Sequence, residues 1–421
     1  MQAEIGKLME QLRRAYTPYH ASAQAAEELE TMGYTRLEER ESYTIVRGGR
    51  YYVCRDGSAL IAFSVGSRPG GFRIVASHLD SPCLKIKGNP LMTGSGCVRL
   101  NTEVYGGPLL YTFLNQPLRI AGRMVVREGE RLVSRVYTDP HLYVIPSLAV
   151  HMQRDANTSL SVNPQTDLQP LVCLSAECGG EHGDAAFETA VSRDLYAVSA
   201  AAPVLAGTGE EFLVSPRLDN LTSVYASVEA MRAAGDRGIC MIYLADSEEI
   251  GSLTRQGAGS DFLRRTAERI ADALGEDIHR LLADSFLVSC DNAHAQHPSH
   301  PEKSDPTNPV LLGGGVVIKH HAKGNYTTDA FSDALFRTLM QDSGIPYQDF
   351  YMRADMPCGG TLGAVSIGQI SVRSIDIGLA QLSMHAAIET MCAADYLHLT
   401  AALSAFFASP FVFEPGDSVH L

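Results

Sequence analysis

The sequence lacks the marks of an exported, membrane-spanning or nucleic-acid-binding protein. No apolar run approaches the roughly 18 residues that a membrane span needs. The nearest, AALSAFFASPFVF at 401–413, is broken by serines and Pro410. The opening MQAEIGKLMEQLRRAY has the pattern of an amphipathic helix, without the apolar stretch and small-residue cleavage site of a signal peptide. Basic residues are few: 34 Lys+Arg stand against 48 Asp+Glu, a formal net charge of −14. They are nowhere concentrated, which argues against nucleic acid and against an anionic membrane face. The nine cysteines contain no CxxC pair and are odd in number and scattered. They read as reduced, mostly buried thiols of a cytoplasmic protein. There is no GxSxG elbow, no nucleophilic-cysteine signature, no internal repeat and no low-complexity tract. A GGG run at 313–315 has no following Lys-Ser/Thr and reads as close backbone packing rather than a phosphate loop.

What remains is a core-forming chain, 45% hydrophobic and 19% charged over 421 residues, a length that suggests two or three domains. Its texture changes twice. Residues 1–92 read as helices at 2–16 and 20–32, then strands at 42–47, 51–54, 59–65 and 72–77. Residues 93–206 show short alternating strands with turn punctuation and no long helical pattern. From 212 onward strands and helices alternate: a helix from Asn220, strand 238–245, helix 260–283, strands 284–290 and 310–319, helix 328–342, strands 346–352 and 371–377, and a closing helix 385–408. That alternation predicts an α/β fold, a mixed sheet flanked by helices. One α/β domain is expected to be made from both ends of the chain, 1–92 with 207–421, interrupted by a β-rich insertion over 93–206.

Acids and histidines fall where such a fold places function. FRIVAS (72–77) is followed by His78 and Asp80, ICMIYLA (239–245) by Asp246, Glu248 and Glu249, and FLVSC (286–290) by Asp291. Ligands in open α/β sheets bind beyond the carboxyl ends of the strands. Asp219 precedes a predicted helix, and His385 opens the last one. Each residue has a plainer account alone: Asp219 and His385 as helix caps, Glu248–Glu249 as a solvated loop, Asp80 as a turn initiator. Together they set several carboxylates side by side, and clustered acids need cations. Two histidines and three carboxylates suit a pair of Zn²⁺ ions about 3.5–4 Å apart, with Mn²⁺ or Co²⁺ also compatible. One of the adjacent glutamates then binds metal while the other takes a proton from the bridging water, and Asp80 holds the free nitrogen of His78.

The strings ASHLDSPCLKIK (76–87), PRLDNLTS (216–223), SEEIGS (247–252), CDNAHAQHP (290–298), GGVVIKHHAKGNYTTDA (314–330) and QLSMHAAIE (381–389) resemble, in that order, the aspartyl aminopeptidase family of dizinc metallopeptidases. The resemblance runs nearly the whole chain. It implies His78 and Asp291 as terminal ligands on one zinc, Glu249 and His385 on the other, Asp219 as the bridge, Glu248 as general base and Asp80 as the partner of His78. It implies a dimerisation role for the insertion, assembly of dimers into a tetrahedral dodecamer, and His151 as a residue lent to a neighbouring subunit's active site. Lys319 matches a lysine that meets the acidic side chain of an N-terminal Asp or Glu; read alone it is also a solvated lysine at a strand end. The substrates implied are short peptides with a free N-terminus.

The chain departs from the family pattern at Asn115 and Gln116, which replace an Asp-Arg pair, at Asn292, which replaces a usual Met, and at Ser299, which replaces a usual Asn. Other readings are a family member that prefers neutral residues, a related two-metal deacylase or carboxypeptidase, and a non-catalytic scaffold on the same fold.

Overall fold

The computed structural model describes residues 2–175 and 190–421. Its centre is a nine-stranded mixed sheet. Four neighbouring strands run parallel, in the order Arg237–Ala245, Arg68–His78, Phe286–Cys290, Arg373–Gly378. Their sequences are continuous apolar runs because both faces are covered. Successive residues part company across the sheet: Val75, Ile242 and Val288 enter one core, Ile74, Met241 and Leu287 the other. The first core is closed by helices Gln2–Arg14, Pro18–Thr31, Leu218–Ala230 and Ala393–Ala408, the second chiefly by Phe262–Leu274. Helix Leu218–Ala230 is buried nearly all round.

A second sheet of six strands is built from Cys83–Gly94, Cys97–Tyr105, Leu118–Glu128, Arg131–Thr138, Leu171–Leu174 and Ala190–Ser199. It has its own core, including Leu84, Leu100, Phe113, Ile120 and Leu195. A third sheet joins distant segments, in the order Val204–Ala206, Phe212–Ser215, Glu389–Cys392, Ala380–Leu382, Ala293–His294.

This third sheet corrects the predicted helix 385–408. Residues 380–392 form a hairpin in which Gln381 pairs with Met391 and Leu382 with Thr390, and the helix starts only at Ala393. His385 therefore lies in the hairpin loop, at φ 65°. Phe212–Ser215 docks along Glu389–Cys392, and such long-range pairing overrides the local helical look of HAAIE. Helix 260–283 divides at Gly275, which takes a left-handed φ of 67° between Phe262–Leu274 and Ile278–Ala283. The predicted strand 42–47 is absent. Tyr43 is instead stacked under Arg269, whose guanidinium lies 3.5 Å from its ring centroid, and Ile45 packs into the core without a ladder.

The reading of all nine cysteines as reduced is also corrected. Cys173, half-buried on the edge strand Leu171–Leu174, is disulfide-bonded. Seven cysteines are free, and Cys178 lies outside the described residues. Among the described residues no helix is long and apolar enough to cross a membrane.

Gly378 ends the strand that neighbours Asp291, and a Cβ there would meet the Asp291 carbonyl at 1.7 Å. Gly378→Ala should therefore cost about 1–3 kcal/mol, read as a lowered unfolding midpoint, and an unchanged midpoint would show that the Asp291 turn yields freely.

Candidate active site

The parallel register brings the three strand ends together. Ala245 pairs with His78, and Cys290 continues directly into Asp291. Asp219 arrives from the first turn of Leu218–Ala230. It is not a helix cap; its backbone is non-helical (φ −82°, ψ 108°) and its oxygens face the cluster.

The two oxygens of Asp219 face two different pairs of residues. His78 Nε2 lies 3.4 Å from Asp219 Oδ1 and 3.4 Å from Asp291 Oδ1. His385 Nε2 lies 3.5 Å from Asp219 Oδ2 and 3.5 Å from Glu249 Oε2. In both histidines the other nitrogen is held. His78 Nδ1 faces the Asp80 carbonyl at 3.1 Å and Asp80 Oδ1 at 3.4 Å, and His385 Nδ1 faces the Gly107 carbonyl at 3.1 Å. Such acceptors leave each Nε2 free to donate its lone pair to a cation.

Asp80 does more than hold His78. Its carboxylate accepts the backbone N–H of Glu248 and of Glu249, each at 3.1 Å, and the Tyr105 hydroxyl at 2.8 Å. The Glu248–Glu249 turn is framed by left-handed Ser247 (φ 64°) and Gly251 (φ 95°). Among the described contacts Glu249 meets His385, whereas the Glu248 carboxylate makes neither a hydrogen bond nor an ion pair.

This donor set fits divalent metal. Asp219 Oδ1 and Glu249 Oε1 are buried oxygens without a hydrogen-bond partner, the condition that a bound cation relieves. Ligand atoms of His78, Asp219 and Glu249 lie within 4.8 Å of one another. The acids shift the histidines accordingly. Burial opposes charge on both rings, yet Asp219, Asp291 and Asp80 hold His78 well above the ordinary imidazole value, and Asp219 with Glu249 pushes His385 up to about 10. Burial, reinforced by the carboxylates of Asp291, Asp80 and Asp219 and partly offset by His78, pushes Glu248 up to about 7. Ligand atoms of His320, Asp333 and Asp349 likewise lie within 4.8 Å of one another. There Arg337 already supplies the cation, with Nε 2.7 Å from Asp333 and a terminal nitrogen on Asp349.

Lys319 is 2% exposed, not a solvated strand-end lysine. Its Nζ lies 3.8 Å from Asp291 Oδ2 and 5.4 Å from the Tyr326 ring centroid. His151 stands exposed in a turn at the 149–153 segment, and no described contact ties it to the cluster of its own chain. Residues that sequence reasoning passed over are Tyr105, Gly107 and Glu389. Glu389 was inside a quoted motif, but reading that stretch as helix hid it.

The surrounding carboxylates favour the charged form of both imidazoles, so a bound cation would compete with protons for these ligands. Zinc titrated into metal-free protein at pH 7.5 should release about one to two protons per chain, and zinc affinity should fall as pH drops. Calorimetry in buffers of different ionisation enthalpy reads this directly, and zinc uptake without proton release would contradict the charge assignment.

Known proteins share this architecture. The family model described as aminopeptidase I zinc metalloprotease (M18) matches residues 11–407. A "Probable M18 family aminopeptidase 2" of Pseudomonas aeruginosa (strain UCBPP-PA14) is 38% identical over 428 residues, covering 97% of this chain and 99% of that protein. The solved structure titled as the Ape4 and Nbr1 complex superposes with a TM-score of 0.92 at 32% identity, over 96% of this chain and 85% of that one. The S. cerevisiae mApe1 dodecamer gives a TM-score of 0.83 at 25% identity, over 96% of each chain. Matched over nearly its whole length, and with histidines and carboxylates clustered beside the ends of its parallel strands, this chain belongs to the M18 family of zinc metallo-aminopeptidases.

Proposed function

We propose that the chain removes single residues from the free N-terminus of short peptides, with preference for Asp or Glu, using two divalent ions bridged by Asp219. The carrying observation is the division of the Asp219 carboxylate: one oxygen faces His78 and Asp291, the other His385 and Glu249. In this reading His78 and Asp291 hold one ion, Glu249 and His385 the other. Zinc bound there polarises the scissile carbonyl and acidifies water. Glu248, unpaired and raised toward neutrality by burial, takes the proton of the attacking water and delivers it to the leaving amine. Asp80 keeps that base in place through the backbone of the Glu248–Glu249 turn.

Lys319 carries the acidic preference in this reading, as the buried cation beside the cluster. Its existing pairing with Asp291 favours a second reading, in which the lysine serves Asp291 and neutral residues are preferred. Self-association into dimers and a dodecamer is supported by the exposed apolar stretch that includes Leu142, Leu148, Val150 and Met152, and His151 within it is the residue we assign to a neighbouring subunit's site. Seven free cysteines, against one disulfide-bonded Cys173, support a mainly reducing, cytoplasmic setting.

Two experiments separate these assignments. Glu248→Gln should keep the parent's metal content and lose at least about 10²-fold in kcat, whereas Glu249→Gln should also lose metal; full activity in Glu248→Gln would remove it as the base. A panel of Asp, Glu, Leu and Lys aminoacyl substrates assayed with Zn²⁺, Mn²⁺ and Co²⁺ should favour Asp and Glu, and Lys319→Met should abolish that bias. Leu outperforming both acids under every metal would establish the neutral reading.

A further inference from the structure

We infer that Glu389 is a positioning residue of the metal centre, and that with Gln381 and Asn292 it forms a buried polar strut that sets the spacing of Asp219, His385 and Asp291. The inference rests on the two-metal reading above. Glu389 is 2% exposed. Its Oε2 accepts the backbone N–H of Asp219 at 3.0 Å, and its Oε1 accepts the backbone N–H of His385 at 2.8 Å and the Gln381 amide at 3.2 Å. Both oxygens are thereby committed to N–H donors, so Glu389 acts on the ligands and not as a ligand.

The strut continues through side chains. Gln381 Oε1 accepts from Asn292 Nδ2 at 2.7 Å, and the same nitrogen lies 3.0 Å from the Leu218 carbonyl and 3.1 Å from Thr222 Oγ1. The segments carrying the bridge, the ligand Asp291 and the ligand His385 therefore meet on three side chains. Regular backbone does not do this for them: Asp219 is non-helical inside its helix, and His385 sits in a hairpin loop at φ 65°. Glu389 can act as the fixed end because its own backbone is paired with Ser215 in the third sheet. Asn292 is the end of the strut that reaches both Gln381 and the first turn of Leu218–Ala230, and a Met there could not donate to either.

Glu389→Gln keeps the shape and puts an NH₂ where an oxygen accepts a backbone N–H. In the full chain it should remain folded by circular dichroism, hold one zinc as the parent does, and bind the second about 10–100-fold more weakly in chelator competition. On an aminoacyl p-nitroanilide kcat should fall with KM within about 2-fold, the split expected of a displaced metal rather than a lost substrate contact. Asn292→Met should weaken the second zinc in the same direction by a smaller factor. A parent holding two zincs while Glu389→Gln holds both at parental affinity and kcat would overturn the inference. If Glu389→Gln does not fold, unchanged second-zinc affinity in both Asn292→Met and Gln381→Leu overturns it. A parent holding only one zinc would contradict the two-metal reading instead; the strut is then judged by whether Glu389→Gln lowers affinity for that one.

Discussion

Six carboxylates, from Asp80, Asp219, Glu248, Glu249, Asp291 and Glu389, gather around two imidazoles and one lysine in surroundings largely shut off from water. Left to themselves they would repel one another, since burial strengthens like-charge interaction as much as it strengthens attraction. Asp219 stands between His78 and His385, whose imidazoles outweigh burial and hold its carboxyl well below the usual carboxylate range, and the arrangement around it divides labour. Asp80 and Glu389 spend their oxygens on N–H and O–H donors, leaving Asp219, Asp291 and Glu249 to meet cations, with Glu248 unpaired.

The rest of the fold supplies the rigidity this needs. Parallel pairing fixes His78, the Glu248–Glu249 turn and Asp291 to one edge of the central sheet, where helices on both faces bury the strands that carry them. The six-stranded sheet is not a bystander. Tyr105 at the end of one of its strands holds Asp80, Gly107 just beyond holds His385, and Ala387 of the His385 loop packs into that sheet's core. Left-handed residues at Arg217, Ser247 and His385 mark the places where the chain leaves regular geometry to aim ligands.

Much of this was legible in the sequence for a definite reason. FRIVAS, ICMIYLA and FLVSC are strands buried on both faces, so their apolar runs end abruptly, and the polar residues after each end stand out. The His385 loop was not legible. AAIE has helical propensity, and it takes the hairpin partner Ala380–Leu382 together with the docking of Phe212–Ser215, more than 170 residues earlier, to make Glu389–Cys392 a strand. That misreading concealed Glu389, because a glutamate four residues after a histidine looks like an ordinary helix-face pair. The environment of Lys319 was equally hidden: nothing local to VVIKHH reveals that its side chain is buried beside Asp291 and Tyr326. The net charge of −14 also gains a location, since a share of it lies in this cluster, where bound cations offset it.

The central claim is that Asp219 joins two metal ions. The most direct measurement is anomalous diffraction at the zinc edge from crystals grown with Zn²⁺. The account predicts two peaks per chain, about 3.5–4 Å apart, one beside His78 and Asp291, the other beside His385 and Glu249, with an Asp219 oxygen on each. A single peak, or two peaks that both lie on the same side of Asp219, would contradict it.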